Sequence, residues 1–358
     1  MDLTEEKSKF ALTFLAATLS IKRILDILIR ADPVQVFSRA RQLIGELALP
    51  EATAQWLREP DWKKVEETIA WCRTQGVRLL WRGEAGYPLC LEHLSDPPPW
   101  LYLWGEGTLE GAALAVVGTR QPSLYGRQVA ARLVAELART GLTIVSGLAR
   151  GLDAEAHRAT LENGGRTWAI LGSGFQRIYP PENVGLAHRL RSAGLLISEY
   201  PPPIEPAPWH FPARNRLIAA LSLGVLVVEA GERSGTLLTA DFALELGREV
   251  FAVPGPITSP QSVGCHRLLK QGAKLVEKAE DVLEELRLEL FPLAPQTARP
   301  DLTAEEEELQ QLLAAAPLSL EEIVARCPWP ASKTMALLSM LEVKGVVRAL
   351  PGRNYAIL

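Results

Sequence analysis

One module recurs through residues 112–276: an apolar strand, a short turn rich in glycine and serine, and then a helix. Strands that are apolar throughout and alternate with helices indicate a parallel sheet that is covered on both faces. Ligands of such sheets bind outside the carboxyl ends of the strands. The repeat therefore predicts an α/β fold with its ligand site in the turns. The predicted strands are Ala113–Val117, Leu142–Val145, Thr167–Leu171, Gly194–Ile197, Gly224–Val228, Glu249–Val253 and Ala273–Val276.

Four turns at the carboxyl ends of these strands have the composition of an anion site. Glycine lets the backbone approach a ligand closely, and helix N-termini offer unpaired N–H groups. The turns carry arginines and no carboxylate before Asp153, so the predicted ligand is a polyanion. The four turns are Gly118-Thr119-Arg120, Ser146-Gly147-Leu148-Ala149-Arg150-Gly151, Gly172-Ser173-Gly174 and Ser234-Gly235-Thr236.

The charge distribution agrees with a local anion-binding face. The whole chain of 358 residues has a net charge of −4, which alone argues against nucleic acid. Residues 112–220, however, hold twelve arginines, no lysine and seven carboxylates, a net charge of +5. The acidic residues concentrate elsewhere, in Glu277–Glu289 and Asp301–Glu308. This asymmetry indicates a basic surface within the sheet region, although any single arginine is also consistent with a solvated surface position.

Length and composition limit the class of protein. A chain of 358 residues suits two or three domains, and no apolar run reaches the roughly 18 residues that span a bilayer. The N-terminus lacks the features of a secretory signal. The four cysteines, Cys72, Cys90, Cys265 and Cys327, are far apart and show no metal-ligand spacing. We therefore expect a cytoplasmic protein without a membrane segment and without a metal site.

The first 70 residues have the pattern of short helices. Apolar residues recur at helical spacing, and the pattern is interrupted at Asp32-Pro33, Leu49-Pro50 and Glu59–Asp61. This predicts a small helical domain over residues 1–70, with a role in packing or protein contact. The sheet domain is predicted over residues 71–290, with two additional strands at Val77–Trp81 and Leu101–Trp104.

A proline-rich linker is predicted at residues 291–303, followed by a third domain at residues 304–358. Three helices and then a β-hairpin are typical of a winged helix, whose third helix would enter a major groove. That helix offers only Lys333 and Lys344 as cations, so DNA binding and a contact or regulatory role both stay open. The predicted helices are Ala304–Ala315, Leu320–Arg326 and Ser332–Val343, with the hairpin over residues 346–358.

Three nucleotide and nucleophile motifs are missing from the turns. Gly231–Thr236 has neither the spacing nor the lysine of a P-loop, which argues against ATP hydrolysis. The dinucleotide fingerprint begins at Gly172 and Gly174 but ends in Arg177 instead of glycine, which argues against NAD. No Gly-x-Ser-x-Gly elbow occurs. No cofactor and no catalytic residue are therefore expected.

For each of two histidines, the sequence leaves two possible roles open. His157 follows an aspartate by four residues on a predicted helix, an arrangement of either an acid–base pair or a helix-stabilising pair, of which we favour the second. His210 lies in Trp209-His210-Phe211, where an aromatic cluster indicates either packing or base stacking, of which we slightly favour stacking.

An ordered series of motifs resembles the bacterial DNA-processing protein DprA (Smf) family, densely over about residues 75–288. The motifs are Val117–Arg120, Ser146–Asp153, Ala156-His157, Leu171–Gly174, Tyr179-Pro180 with Asn183, Ser198–Pro201, Phe211–Arg216, Val228–Ala230, Ser234–Ala240 and Gly247–Gly255. The resemblance implies an extended Rossmann-like sheet, with a SAM-like helical domain before it and a winged helix after it. It also implies single-stranded DNA binding, homodimerisation, and loading of the RecA recombinase onto DNA coated by single-strand-binding protein during natural transformation.

The resemblance also assigns residues. Some relatives place a lysine at the pocket rim, whereas Tyr179–Pro181 supplies none here, so binding would depend more on arginines. The implied dimer contact lies on the helix before the last strand, at His266, Leu268 and Leu269. The implied DNA-binding residues are Gly118, Thr119, Arg120, Ser146, Gly147, Arg150, Gly151, Ser173, Gly174, Phe175, Phe211, Arg214, Asn215, Arg216, Ser234, Gly235 and Thr236.

An enzyme is the alternative. The same sheet resembles nucleotide phosphoribohydrolases of the LOG-like group, which carry Pro-Gly-Gly-x-Gly-Thr-x-x-Glu at the turn occupied here by Gly231–Thr239. Thr239 stands where those enzymes have the catalytic glutamate, and a hydroxyl is a poor general base near neutral pH. The sequence therefore favours binding without chemistry.

Overall fold

The computed structural model describes residues 4–288, 302–313, 318–344, 346–350 and 354–357. The chain forms two compact units, Met1–Pro295 and Gln296–Leu358, and each is described by itself. The predicted linker at residues 291–303 lies outside the described residues except for its last two, and so does the predicted hairpin turn at 351–353. Within the described ranges, no helix is long and apolar enough to cross a membrane.

The first unit is built on a nine-stranded sheet, in which the predicted α/β fold is confirmed. The spatial order is β1-β2-β6-β5-β4-β3-β7-β8-β9, and β2 alone runs antiparallel to both of its neighbours. Strands β2 to β7 are buried along their whole length, as the continuous apolar runs predict. The strands are β1 Val77–Trp81, β2 Trp100–Trp104, β3 Ala113–Val117, β4 Thr143–Ser146, β5 Thr167–Leu171, β6 Gly194–Ser198, β7 Gly224–Val227, β8 Glu249–Ala252 and β9 Lys274–Leu275.

The strand order reverses between β3 and β7. From β3 the chain adds β4, β5 and β6 on one side, and it then crosses to place β7 on the other side of β3. The pairs Ala115↔Val145 and Val117↔Val227 keep the carboxyl ends of β4, β3 and β7 level with one another. At such a switch point the turns diverge to opposite faces and leave a crevice, which is where ligands of open α/β sheets bind.

Helices cover both faces of the sheet. Leu133, Val134 and Leu137 of α7 belong to a core on one face, and Leu217 and Ile218 of α10 belong to a core on the other. The helices that follow the strands are α7 Leu124–Arg139, α8 Leu152–Glu162, α9 Val184–Leu190, α10 His210–Ala220, α11 Thr236–Glu245, α12 Val263–Lys270 and α13 Ala279–Glu285.

The N-terminal helical region shares a core with the sheet. Thr13 Oγ1 lies 2.8 Å from the Tyr102 hydroxyl on β2, and the rings of Trp71 and Trp104 meet at 5.5 Å. The predicted boundary at residue 70 falls inside α6, because that helix leads directly into β1. The predicted interruptions are helix starts: Asp32 caps α3, accepting from Val34 N at 3.0 Å. These helices are α1 Glu5–Thr13, α2 Ile21–Leu28, α3 Pro33–Ser38, α4 Ala40–Leu47, α5 Glu51–Arg58 and α6 Trp62–Gln75.

The second unit has the predicted winged-helix order of elements, plus a short strand that the sequence did not predict. The Ser319 hydroxyl accepts from Glu322 N at 3.3 Å, and the Glu322 carboxylate accepts from Ser319 N at 2.9 Å, which is a capping box. The elements are α14 Ala304–Leu313, β10 Leu318–Ser319, α15 Leu320–Arg326, α16 Ala331–Val343, β11 Val347–Leu350 and β12 Asn354–Ile357.

Candidate functional site

A cavity of about 850 Å³ opens at the reversal of strand order, between the turns that follow β3 and β7; we call it the switch-point cavity. Its walls come from the β3 turn, the start of α10 and the loop that leads into α11. A cavity of this size is in the range of small-molecule and nucleotide sites. It brings together these predicted residues: Gly118, Thr119, Arg120, Phe211, Arg214, Asn215, Ser234, Gly235 and Thr236.

The turn after β3 is held in place by the buried side chain of Glu229, which follows β7. Glu229 accepts hydrogen bonds from Ser123 N at 2.9 Å and from Ser123 Oγ at 2.5 Å. The backbone carbonyl of Glu229 accepts from Thr119 N at 2.8 Å. These contacts give the Val228–Ala230 motif a structural role, since they fix the position from which Arg120 projects.

Glycines allow the cavity walls to approach closely. Gly151 has φ +75° and lies against the backbone of Thr119 and Arg120, where a Cβ would overlap the chain. Gly172 lies under the ring of Phe211, and a Cβ there would stand 3.0 Å from Phe211 Cδ1. Gly151 is required by space and by its backbone conformation, whereas at Gly172 a Cβ would press against the Phe211 ring and displace it.

Two arginines of the cavity are uncompensated. Arg120 and Arg233 are exposed side chains that line the cavity, and neither forms an ion pair with a carboxylate of the described chain. The guanidinium carbon of Arg120 stands 5.9 Å from the centroid of the Phe211 ring. Sequence reasoning missed Arg233, although its place in a turn between β7 and α11 is the same signal that identified Arg120.

A smaller pocket adjoins the cavity and shares Arg120 and Phe211 with it. Arg150 lines this pocket, where its guanidinium pairs with the carboxylate of Glu182 and lies 5.5 Å from the Tyr179 ring centroid. The hydrogen bond from Arg150 lowers the pKa of Glu182. Tyr179 also lines the main cavity, and its ring lies 5.6 Å from that of Phe211, so the two form an aromatic wall.

Arg214 supports the cavity from within and is only 5% exposed. Its Nη1 donates to the carbonyl oxygen of Gly147 at 2.6 Å and to that of Ile170. Burial lowers the pKa of Arg214 to about 10, although the nearby carboxylate of Asp153 opposes this shift. Arg214 thus lines the cavity, as predicted for its wall, but its hydrogen bonds are directed into the protein.

Asp153 accepts hydrogen bonds from two N–H groups of the turn after β4. This is contrary to the prediction that the N–H groups of the turn face the ligand. Asp153 Oδ2 accepts from Gly147 N at 3.1 Å and from Ala149 N at 3.4 Å. Ser146 is buried and donates from Oγ to the Val116 carbonyl at 2.7 Å. Ser146 and Gly147 therefore do not line the switch-point cavity, and Gly147 lines only the smaller pocket beside it, while Gly151 supports the neighbouring backbone.

The turn after β5 lies outside the cavity, which corrects the assignment of Ser173, Gly174 and Phe175. The segment after β6 covers it: Gly174 N donates to the Ile204 carbonyl at 2.9 Å, and Ser173 is buried beneath. The Phe175 ring packs 5.5 Å from that of Trp104. These residues belong to the core because the proline-rich segment folds back over the turn.

Arg216 is also displaced from its assigned place. It is 4% exposed, and its Nη2 pairs with Glu199 Oε1 at 2.5 Å while its Nε lies 3.3 Å from Asp96 Oδ2. Burial raises the pKa of Glu199, and the charge of Arg216 counters that shift. A phosphate contact by Arg216 would leave two carboxylates uncompensated, so the assignment of Arg216 to DNA binding is wrong.

Both histidines are buried. His157 Nδ1 lies 2.7 Å from Thr167 Oγ1, and burial lowers its pKa to about 3, which keeps the ring neutral. His210 Nδ1 lies 3.1 Å from the Gly172 carbonyl, and its ring stacks on Tyr200 at 3.9 Å. Both rings therefore pack, so the favoured pair of His157 with Asp153 and the favoured stacking role of His210 are wrong: His157 contacts Thr167 and Asp153 contacts the turn after β4. Of the cluster Trp209-His210-Phe211, only Trp209 is exposed.

The three predicted dimer residues lie on α12, next to β9, as expected. Leu268 is buried in the core, which corrects its assignment to a subunit surface. Leu269 is half-buried at the edge of that core, and His266 Nε2 lies 2.9 Å from the Gly255 carbonyl. Of the three, His266 and Leu269 keep part of their surface exposed.

In the second unit, Lys333 of α16 and Lys344, which directly follows that helix, are engaged by the acidic start of α14. Lys333 Nζ lies 2.6 Å from Glu305 Oε1, and Lys344 Nζ lies 2.6 Å from Glu306 Oε2. The only cations that the sequence offered for groove reading are thereby paired, which favours the contact or regulatory alternative for the winged helix.

Comparison with known families accounts for both units. Residues 78–287 match the family model of DNA recombination-mediator protein A, and residues 293–353 match that of the DprA winged helix domain. The chain is 42% identical over 260 residues to DNA processing protein DprA of Bacillus subtilis, covering 72% of this chain and 88% of that protein. It is 40% identical over 299 residues to protein Smf of Escherichia coli, covering 81% and 80% of the two chains.

Solved structures agree with this match. The X-ray structure of DNA processing protein A from Streptococcus pneumoniae superposes with a TM-score of 0.66 at 34% identity, covering 80% of this chain and 99% of that one. A structure that addresses the single-stranded DNA binding mode of DNA processing protein A from Helicobacter pylori gives a TM-score of 0.54 at 30% identity, covering 60% and 96%. The chain belongs to the family of DNA recombination-mediator protein A, the DprA or Smf proteins.

Proposed function

We propose that this protein binds single-stranded DNA in the switch-point cavity, without sequence preference and without nucleotide hydrolysis. The observation that carries the proposal is the pair of uncompensated arginines, Arg120 and Arg233, which enter one cavity from the turns after β3 and β7. Guanidinium groups match phosphate oxygens with two parallel hydrogen bonds, so two such groups suit successive phosphates of a strand. The relative from Helicobacter pylori is a single-stranded DNA binder, which supports the same ligand here.

The aromatic wall favours a single strand over a duplex. Phe211 and Tyr179 line the cavity beside Arg120, and their ring faces offer stacking surface to an unpaired base. A duplex presents its phosphates at the surface but keeps its bases stacked inside, so it gains the charge contacts without the stacking. Stacking is tolerant of sequence because every base has a π-face, and this suits incoming DNA of any sequence.

Binding without chemistry is favoured over the phosphoribohydrolase alternative. Thr239 lines the cavity where LOG-like enzymes place a glutamate, and its hydroxyl is a poor general base. Asp153, the carboxylate among the residues that line the cavity, accepts hydrogen bonds from the backbone N–H groups of Gly147 and Ala149.

Membership of the family supports a proposal for the cellular role. We propose that a cytoplasmic homodimer, joined through the region of α12, hands the bound strand to RecA and does so on DNA coated by single-strand-binding protein, during natural transformation. A dimer has two cavities, and the second cavity binds a strand already held by the first at a high effective concentration. The sequence-independent cavity fits a mediator that must accept arbitrary DNA.

The test compares a single-stranded oligonucleotide with a duplex of the same length, bound to the full-length protein with no nucleotide present. We expect tighter binding of the single strand, faster RecA filament formation on strands coated by single-strand-binding protein, and no release of free base from nucleoside monophosphates. Equal affinity for the duplex would refute the DNA-binding proposal. Base release without RecA stimulation would establish the enzyme alternative instead.

A further inference from the structure

We infer that Trp209 is a base-stacking platform on the outer rim of the switch-point cavity, an inference that rests on the proposed binding of single-stranded DNA there. All nine tryptophans lie among the described residues, and Trp209 is the only exposed one, at 68% exposure. Single exposed apolar residues are common on protein surfaces, so exposure alone assigns no role. Its position and its presentation carry the inference.

The position is the rim of the cavity. Trp209 immediately precedes α10, between Pro208 and Phe211, which both line the cavity. The Phe211 ring lies next to the Arg120 guanidinium at 5.9 Å. Trp209 itself is not among the residues that line the cavity, so a strand whose phosphate is bound by Arg120 would reach its indole on leaving the cavity past Pro208 and Phe211.

The backbone under this indole is fixed while the indole itself stays available. The N–H of His210 donates to the Ala207 carbonyl at 3.0 Å, and the buried His210 ring stacks on Tyr200 at 3.9 Å. The Trp209 ring meets the His210 ring edge to face, with centroids 5.8 Å apart and an interplanar angle of 81°. The indole keeps most of its surface free, at 68% exposure, and a side chain with two torsions is presented at low entropic cost, as in aromatic binding surfaces.

The chemistry of the surroundings identifies the ligand as an unpaired nucleobase. Uncompensated Arg120 and Arg233 attract a polyanion to this rim, and a strand brings bases at regular intervals along it. An apolar protein surface would also cover an exposed tryptophan, but it would gain nothing from the two arginines. Indole stacking is independent of base identity, in keeping with the proposed lack of sequence preference.

The experiment uses two strands with the same number of phosphates: oligo-dT and an abasic strand of equal length. Replacing an aromatic platform by alanine costs about 5-fold to 100-fold in affinity for each stacked base. We expect Trp209→Ala to weaken oligo-dT binding by that factor and to leave abasic-strand binding unchanged, while Trp209→Phe retains most of the affinity. Oligo-dT should also quench the tryptophan emission of the wild type but not that of Trp209→Phe.

Ile29→Ala is the matched control, since Ile29 is 80% exposed in the N-terminal helical region. This variant should bind both strands like the wild type. Unchanged oligo-dT binding by Trp209→Ala, or an equal loss on both strands, would overturn the inference while leaving the proposed function intact. A wild type that fails to bind oligo-dT at all would refute the proposed function and this inference with it.

Discussion

Replacement of Arg214 by methionine should destabilise the fold, because this arginine's hydrogen bonds are directed into the protein. The guanidinium donates to the carbonyls of Gly147 and Ile170, and its charge faces Asp153. A hydrogen bond to a charged group contributes about 1.5–3 kcal/mol, and removal of one partner of a buried charge pair costs about 3–5 kcal/mol. Since the two effects overlap here, we expect Arg214→Met to lower the free energy of unfolding by about 3–5 kcal/mol.

Urea unfolding of the full-length protein measures this loss. Arg120→Met is the control, because Arg120 is exposed and makes no ion pair with the described carboxylates, so its loss should stay within about 0.5 kcal/mol. An unfolding free energy of Arg214→Met within about 1 kcal/mol of the wild type would refute the reasoning. It would show that the arginine is free to serve a ligand.

The loss should also depend on pH. Burial raises the pKa of Asp153 above its ordinary value of 3.8, and the charge of Arg214 opposes that rise. Without Arg214 the pKa of Asp153 rises further in the folded state. A carboxyl whose pKa is higher in the folded than in the unfolded state loses stabilisation as pH rises through that interval. The destabilisation by Arg214→Met should therefore be smaller near pH 4 than at pH 7, and Asp153→Asn in the same background should remove this dependence.

Three further predictions concern ligand and subunit contacts. Arg120→Ala and Arg233→Ala should each weaken single-strand binding, measured by fluorescence anisotropy, by about 1.5–3 kcal/mol without changing the unfolding midpoint. Unchanged affinity in both variants would place the site elsewhere. Glu182→Gln should raise the affinity about two- to five-fold, since it frees Arg150 for phosphate, and a lower affinity would contradict this. Leu269→Arg should give monomers in sedimentation at micromolar concentration, whereas a folded dimer would exclude this α12 surface.

The sheet could be predicted from sequence because its signal is local. Ala113–Val117 and Thr167–Leu171 are strands with the predicted bounds, since each apolar run ends at a glycine turn. The last strand is shorter than predicted, Lys274–Leu275 instead of Ala273–Val276, because it pairs with β8 over two residues only. The domain boundary at residue 70 could not be predicted, since α6 carries no local sign that its apolar face packs on the sheet.

The location of the candidate site could be predicted from the sequence, but the partners of its side chains could not. The alternation of strands and helices predicts a ligand site in the turns at the carboxyl ends of the strands, and the observed strand order brings Arg120 and the Ser234–Thr236 turn together there. The state of each arginine depends on partners distant in sequence. Arg216 meets Asp96 and Glu199, and no local pattern distinguishes it from the free Arg120. Likewise, no local pattern in the turn after β4 predicts that Asp153 of the following helix accepts hydrogen bonds from the N–H groups of Gly147 and Ala149.

The most direct test of the central claim is the salt dependence of single-strand affinity in the Arg120→Ala/Arg233→Ala double variant. Each phosphate contact on a single strand contributes about 0.7 to the slope of log affinity against log salt concentration. We predict that the slope of the double variant is smaller than that of the wild type by about 1.4, since two contacts are lost. An unchanged slope would contradict the account, because it would mean that the switch-point cavity holds no phosphate.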